Sequence, residues 1–410
     1  MTTRSRVHPD VFAEVAAMSS LAWLDFDEAE RQRAQRIMAL FQERESRDEL
    51  GLGAIRDSIS DHLFPGTSTI QTRLRYMLFV PWILRMVEVR EGSPSELTAE
   101  ARSLELRLVD ALQDGGETLG VIGRDAGARL QRLPSAVYWA GVGSWGIRLF
   151  QGSTDGYFAS IQGVQRGRHR VRESEDASTE GRPIHIWHPS LPTMPPKLLE
   201  AATFDLTTEE AQFIIDRLVA SQPKTLLTTL ARERVAANCQ HIWEHPNFAD
   251  FPAQARDLVR HAEIFSQIMH AAALIYNLEL SKLREKEEWV AAYEERLHRW
   301  GAEFDLPAVR AWSIDGFWKA IDHPGHTIRY TTKRFVTEWL TIVRAAAAAV
   351  SRSQSAWRLV RDRERHLKTS QSRFSNRAAR DRWRGASAVD RLSFRWPQAQ
   401  SHLRDLANAK

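Results

Sequence analysis

The stretch RDELGLGAIRDSISDHLFPGTSTIQTRLRYMLFVPWILR, Arg47 to Arg85, decides how this chain is read. Leu52, Ile55, Ile59 and Leu63 recur at spacings of three and four, which marks one apolar face of a short helix. Asp57 and Asp61 are four apart and share another face of it. At about one helical turn the two carboxylates repel, which favours a proton on one of them. Pro65-Gly66 breaks the helix. Thr67, Ser68 or Thr69 then predicts the cap of a second helix, with Ile70, Leu74, Met77 and Leu78 on its apolar face and Pro81 to kink or end it. Gln71, Arg73 and Arg75 fall in its first turn, where free N–H groups, hydroxyls and arginines make a phosphate seat. Helix, tight turn and polar-fronted helix together are the layout of a helix-turn-helix or winged-helix unit. The plainer reading makes Asp57 and Asp61 solvated surface acids, with Arg73 and Arg75 as their salt-bridge partners.

Composition bounds the rest. A chain of 410 residues, 43% hydrophobic and 26% charged, is long enough for two or three domains with a sizeable core. Its one cysteine, Cys239, excludes an intramolecular disulfide and points to a reducing, cytoplasmic setting. No apolar run reaches the length of a signal peptide core or a membrane span, so no membrane partner is expected. The net charge is +4, unevenly placed: residues 350–410 hold 15 Lys and Arg against 5 Asp and Glu, which leaves the rest of the chain at −6. Nearly all of that positive charge is arginine, Arg377 and Arg380 included, with Trp357, Phe374, Trp383, Phe394 and Trp396 interleaved. Such a mix suits phosphate contact with base stacking, or an amphipathic helix docked on the body with its arginines in water.

Along the chain, residues 19–45 and 96–113 predict amphipathic helices, and Gly146 to Phe150 a short strand. Residues 151–198 read as irregular, a wing, a loop or a link between domains. They include the basic run Arg166-Gly167-Arg168-His169-Arg170-Val171-Arg172 and an alternating, strand-like Pro183 to Pro189. From the capping box Thr207-Thr208-Glu209-Glu210 onward the chain is helical, with one long buried helix over 255–283. The expected class is mainly α with a minor β component. Residues 1–198 form the winged-helix-like catalytic and DNA-binding part, 199–349 a helical domain and 350–410 an arginine-rich region.

His241-Ile242-Trp243-Glu244-His245 matches the zinc pattern H-x-x-E-H, but Pro246 pushes His245 out of the helical region, so a capped helix end is expected there. No phosphate-binding glycine loop and no nucleophile elbow is present, and Cys239 reads as a core residue.

Five blocks carry a resemblance: LAWLDFDEAER (21–31), RDELGLGAIRD (47–57), LFPGTSTIQTRLRYMLFVPW (63–82), LPSAVYWAGVGSWGIR (133–148) and HAEIFSQIMHAAALIYN (261–277). Together, over about residues 20–345, they resemble bacterial proteins of phage-defence gene clusters, anti-phage DNA glycosylases that excise glucosylated hydroxymethylcytosine from T-even phage DNA. The 63–82 block is also loosely similar to a helix of winged-helix alkylation glycosylases that carries a Gln-x-Gln or Gln-x-Asp pair. Here Arg73 stands two places after Gln71, so that pair is not reproduced.

The resemblance implies hydrolysis of a C1′–N bond through an oxocarbenium-like sugar, with a carboxylate to stabilise the cation or activate water, and no metal or cofactor. On that reading Asp57 or Asp61 is the carboxylate and Gln71 positions water or sugar. Thr67, Ser68, Arg73, Arg75, Arg166, Arg168, Arg377 and Arg380 contact DNA. Tyr138 and Trp139 form the pocket or wedge for a flipped base. Asp48, Glu49 and Arg56 meet the hydroxyls of the glucosyl group. The implied partner is double-stranded phage DNA with modified cytosines. The rival readings are a non-enzymatic DNA-binding protein and an interaction subunit among other defence-system proteins.

Overall fold

A computed structural model describes residues 48–173 and 185–410. The expected helix over 19–45 lies outside the described residues. Among those described, the chain is mainly α-helical, and the only β features are two isolated bridges, Arg148 with Trp187 and His323 with His326. Of the strands expected at 146–150 and 183–189, the described residues (183 and 184 lie outside them) keep the first of these bridges, closed by the Leu149 N–H to the Ile186 carbonyl and the His188 N–H to the Ile147 carbonyl. No helix among the described residues is long and apolar enough to cross a membrane.

The residues group into two units, each assembled from separate stretches. One comprises Met1–Gly53 (described from 48), Ala271–Glu303 and Ala348–Asp390; the other comprises Ala54–His270, Phe304–Ala347 and Arg391–Lys410. The arginine-rich C-terminal region is thus divided between them at residue 390.

The larger unit is built on α1 (Gly53–Leu63), α2 (Tyr76–Glu88), α3 (Pro94–Asp114), α4 (Pro134–Ser144) and α5 (Thr154–Glu173). α1 turns Ile55, Ile59 and Leu63 into the core, as their spacing predicts. α2 packs against α3 and α4, and every residue from Tyr76 to Leu84 is buried. It runs through Pro81 to Glu88, so the proline does not end it. α5 replaces the irregular segment expected after residue 151. Tyr157, Phe158 and Ile161 give it a buried face, and no proline interrupts residues 154–173.

The unit continues with α6 (Thr208–Ser221), capped by the Thr207–Glu210 box, and α7 (Leu226–Glu233). The first part of α8 (Ala253–Leu283) follows, then α10 (Leu306–Ala311), α11 (Ile314–Ala320), α12 (Tyr330–Ala346) and α15 (Trp396–Ala407).

The smaller unit holds the end of α8, α9 (Glu287–Glu303), α13 (Gln354–Lys368) and α14 (Arg377–Asp381). Its interior carries charge. Glu49 is buried and bonded to Arg373 (2.6 Å) and Lys368 (3.6 Å), while Arg373 also donates to the Tyr276 hydroxyl at 2.9 Å. Four of the five aromatics that interleave with the C-terminal arginines are core residues in their own units: Phe374 and Trp383 in the smaller, Phe394 and Trp396 in the larger; Trp357 is half-buried, with Lys282 over its ring. Those four are not available as a base-stacking surface.

The segment between α1 and α2 departs most from expectation. The second helix does not start at Thr67–Thr69; residues 64–75 form a braced loop, and α2 begins at Tyr76 with no side-chain cap. That loop is longer than the three or four residues of a helix-turn-helix turn. The reason lies in remote side chains that take the loop's amides. The Tyr138 hydroxyl accepts from the Thr72 N–H (2.9 Å) and the Arg73 N–H (3.1 Å), and donates to the Arg73 carbonyl. Asp405 of α15 accepts from the Leu74 N–H at 2.8 Å. With those donors satisfied, a helical turn there would gain little. Gly141 of α4 lets the loop lie close: a Cβ there would stand 2.7 Å from the Gly66 carbonyl oxygen.

Candidate active site

Asp57 and Asp61 project from α1 as their spacing demands, but a guanidinium separates them. Arg395, which caps α15 in the left-handed region (φ 64°), donates from Nη1 to Asp61 Oδ1 at 2.5 Å and from Nη2 to Asp57 Oδ1 at 3.2 Å. The mutual repulsion expected of the pair is replaced by a shared cation. The same Nη1 donates to the Thr67 carbonyl at 2.8 Å, which ties the loop to the carboxylates. His326 Nε2 meets the other oxygen of Asp61 at 2.6 Å, and Arg56 lies 3.5 Å from Asp57. Asp61 keeps 24% of its side chain exposed and Asp57 11%.

Two more imidazoles border the acids. His323 stands edge-on to His62 with ring centres 5.0 Å apart, and His326 is the same distance from His323. His62 Nε2 meets the Asp322 carbonyl at 3.0 Å, and Ser58 donates to the Ile321 carbonyl from inside the core. These bonds hold the Asp322-His323-Pro324-Gly325-His326 turn against α1. His323 Nδ1 accepts from the Gly325 N–H, which leaves the proton of the neutral ring on Nε2. Burial first, then the charges of His62 and His326, lower the pKa of His323. A partly open pair of carboxylates backed by a guanidinium and an imidazole can stabilise positive charge that develops on a bound group, or take a proton from water.

The other residues singled out from sequence have different surroundings. Gln71 is buried and committed to the loop: its Oε1 accepts from the Ser68 N–H at 3.2 Å and its Nε2 donates to the Gly66 carbonyl at 3.1 Å. It braces the loop and is not placed to hold water or sugar. Thr67 is buried, its hydroxyl donating to the Phe64 carbonyl. Ser68 is half-buried. Neither hydroxyl caps a helix.

Arg75 is a buried cation and Arg73 a half-buried one, and both are paired within the protein. Arg73 pairs with Asp405 (3.0 Å) and lies over the Phe204 ring, and Arg75 pairs with Glu210 at 2.7 Å and donates to the Thr203 carbonyl. Tyr138 is fully buried, so it latches the loop and is no wedge. Trp139 is half-buried under Arg148, 4.2 Å from ring centre to guanidinium, and donates to the Gly152 carbonyl.

Asp48 and Glu49 belong to the smaller unit, whereas the acid pair belongs to the larger. Asp48 accepts from the Leu52 and Gly53 amides and so caps the start of α1, while Glu49 is buried in the Arg373 network. Arg377 and Arg380 are also in the smaller unit. Arg377 is exposed, whereas Arg380 donates to the Arg373 carbonyl. Arg166 and Arg168 fall on α5 where the side chains lie outside the described residues.

His241 and His245 do not share a helix face. A three-residue 3-10 turn separates them, His241 pairs with Glu244, and His245 is extended. No cluster of three metal-ligating side chains occurs among the described residues.

Sequence reasoning missed Arg395, His326 and Asp405. The two histidines around Pro324-Gly325 were a signal, since a tight turn brings its flanks together. Arg395 carried none, as one arginine among many.

Residues 18–410 match the family described as "Family of unknown function (DUF6361)", and the chain belongs to that family. No curated protein and no solved structure matches it.

Proposed function

We propose that this chain is a DNA glycosylase that hydrolyses the N-glycosidic bond of a glucosylated hydroxymethylcytosine in phage DNA and leaves an abasic site, as a step of anti-phage defence in the cytoplasm. The observation that carries the reading is the Asp57–Asp61 pair on α1, bridged by Arg395 and still partly open. N-glycoside hydrolysis asks for this chemistry: a carboxylate beside a sugar that becomes cationic, and a base for the attacking water.

Asp61, the more open acid, is the residue assigned to the reaction, and Asp57 supports it. Water adds to C1′ and gives its proton to the Asp61 carboxylate. The C1′–N1 bond breaks with its electrons on the base, which is then protonated. His326 on the far oxygen of Asp61 and Arg395 on the near one fix the carboxylate's orientation. The chemistry needs no metal ion. The loop between α1 and α2, with its exposed Thr69 and Ile70, is the DNA-facing element of this proposal, in place of the helix-turn-helix-like head expected from sequence.

The test is to incubate the full chain with T-even phage DNA and with unmodified DNA, without added metal, and to count abasic sites with an aldehyde-reactive probe. Sites in the glucosylated DNA alone support the reading. None in either, with DNA binding intact, replaces it with a non-enzymatic DNA-binding protein.

A further inference from the structure

Ile70, which helical spacing would place on a buried face, lies instead in the turn of the 64–75 loop. It has 39% of its surface exposed and stands next to exposed Thr69. A single exposed apolar side chain is ordinary by itself; what sets Ile70 apart is that the loop carrying it is held along its length. Gln71 closes its first half, Arg395 holds the Thr67 carbonyl and Gln398 the Thr69 carbonyl. Tyr138 and Ser401 hold Thr72 on the far side of Ile70. The core around it is therefore arranged to present an apolar tip, and the guanidinium that anchors this tip also positions Asp57 and Asp61.

We infer that Ile70 is a wedge that enters the base stack of duplex DNA and takes the place of the nucleotide turned out toward the acid pair. The inference rests on the proposed glycosylase reading. Ile, Leu, Met and Phe act as wedges because an apolar side chain replaces lost stacking without a polar group to desolvate. A fixed loop is required, since a wedge that yields does not unstack its target. Arg73 and Arg75, the nearby candidates for DNA contact, are engaged by Asp405 and Glu210, so the tip meets DNA through Ile70 and the exposed Thr69 beside it.

The test uses the full chain with a duplex carrying 2-aminopurine beside one glucosylated hydroxymethylcytosine, and follows fluorescence, anisotropy and abasic-site yield. Wild type is expected to raise the fluorescence. Ile70→Ala is expected to lower that rise by about tenfold, and duplex excision with it, while affinity changes less than about threefold and excision from single strands is unchanged. Ile70→Leu is expected to restore unstacking, and unchanged thermal melting excludes misfolding. Unstacking by Ile70→Ala equal to wild type overturns the wedge. If wild type leaves no abasic site but its unstacking still depends on Ile70, the glycosylase reading fails and the wedge stands. If wild type neither unstacks nor excises, both fall.

Discussion

Arg395 reaches Asp61 across 334 residues of chain, at 2.5 Å, from a backbone conformation that non-glycine residues rarely adopt. Phe394 before it also has a positive φ, 51°, with its ring buried. Two such residues in sequence cost about 1–3 kcal/mol each and persist only where the surroundings over-determine them. The guanidinium's bonds to Asp61, Asp57 and Thr67 are part of that compensation.

Arg395→Ala is expected to destabilise the protein by about 3 kcal/mol in chemical denaturation, because it leaves two neighbouring carboxylates without their cation. Arg395→Gly should lose less, since glycine accepts the positive φ without strain. If the two variants unfold at the same denaturant concentration, backbone strain contributes nothing at this position.

The acid pair divides by role. Asp61→Asn is expected to abolish abasic-site formation, and Asp57→Asn to reduce it about a hundredfold, with both variants folded. His326→Ala removes only an orienting partner, so kcat should fall about tenfold with KM nearly unchanged. An Asp61→Asn protein that excises bases at the wild-type rate would remove that residue from the chemistry.

Two buried groups give stability opposite dependences on pH. Burial pushes the Glu105 carboxyl up to about 7, against the pull of its bonds from the Ser135 N–H and hydroxyl. The native state then holds a proton that the unfolded chain has lost, so stability falls as pH rises from about 4.5 to about 7 and levels off above. Glu105→Gln should remove this slope, worth about 3 kcal/mol at most.

His402 is pushed the other way, to about 3, by burial and then by the charge of Arg73, and neither ring nitrogen has a hydrogen-bond partner among the described residues. Its contribution is present above pH 6.5 and is lost as pH falls toward 3. His402→Leu should gain about 2 kcal/mol over wild type on moving from pH 8 to pH 5. Urea titrations across pH measure both effects.

Tyr138→Phe removes one hydroxyl that serves two N–H groups and a carbonyl of the loop. Two amides are left unsatisfied, at a cost of about 1–3 kcal/mol. Hydrogen exchange should show the Thr72 and Arg73 amides losing protection before those of α2. Uniform loss across α2 would mean that the latch serves the whole unit.

Arginines singled out for DNA contact separate by burial. Arg75→Ala breaks a buried pair with Glu210 and should cost about 3–5 kcal/mol of stability. Arg377, 87% exposed, should cost under about 0.5 kcal/mol when replaced by alanine. If Arg377 meets phosphate, the same change lowers the salt dependence of DNA binding by about one counterion. An unaltered salt slope would exclude it from the interface.

What the sequence determined by itself was local. The apolar spacing of α1, the Thr207–Glu210 capping box, the long helix expected over 255–283 and the shared face of Asp57 and Asp61 all follow from contacts within a few turns of chain. Only the tertiary structure decided what those acids face and what became of the segment after them. Arg395, His326, Tyr138 and Asp405 come from distant stretches. By satisfying the amides of residues 72–74 and bridging the carboxylates, they turned an expected helix start into a braced loop and an expected repulsion into an ion pair. Helix propensity is worth tenths of a kcal/mol per residue, whereas a buried amide left unpaired costs more than about 1 kcal/mol. The stronger of these two forces acts through partners far away in sequence, where periodicity carries no information.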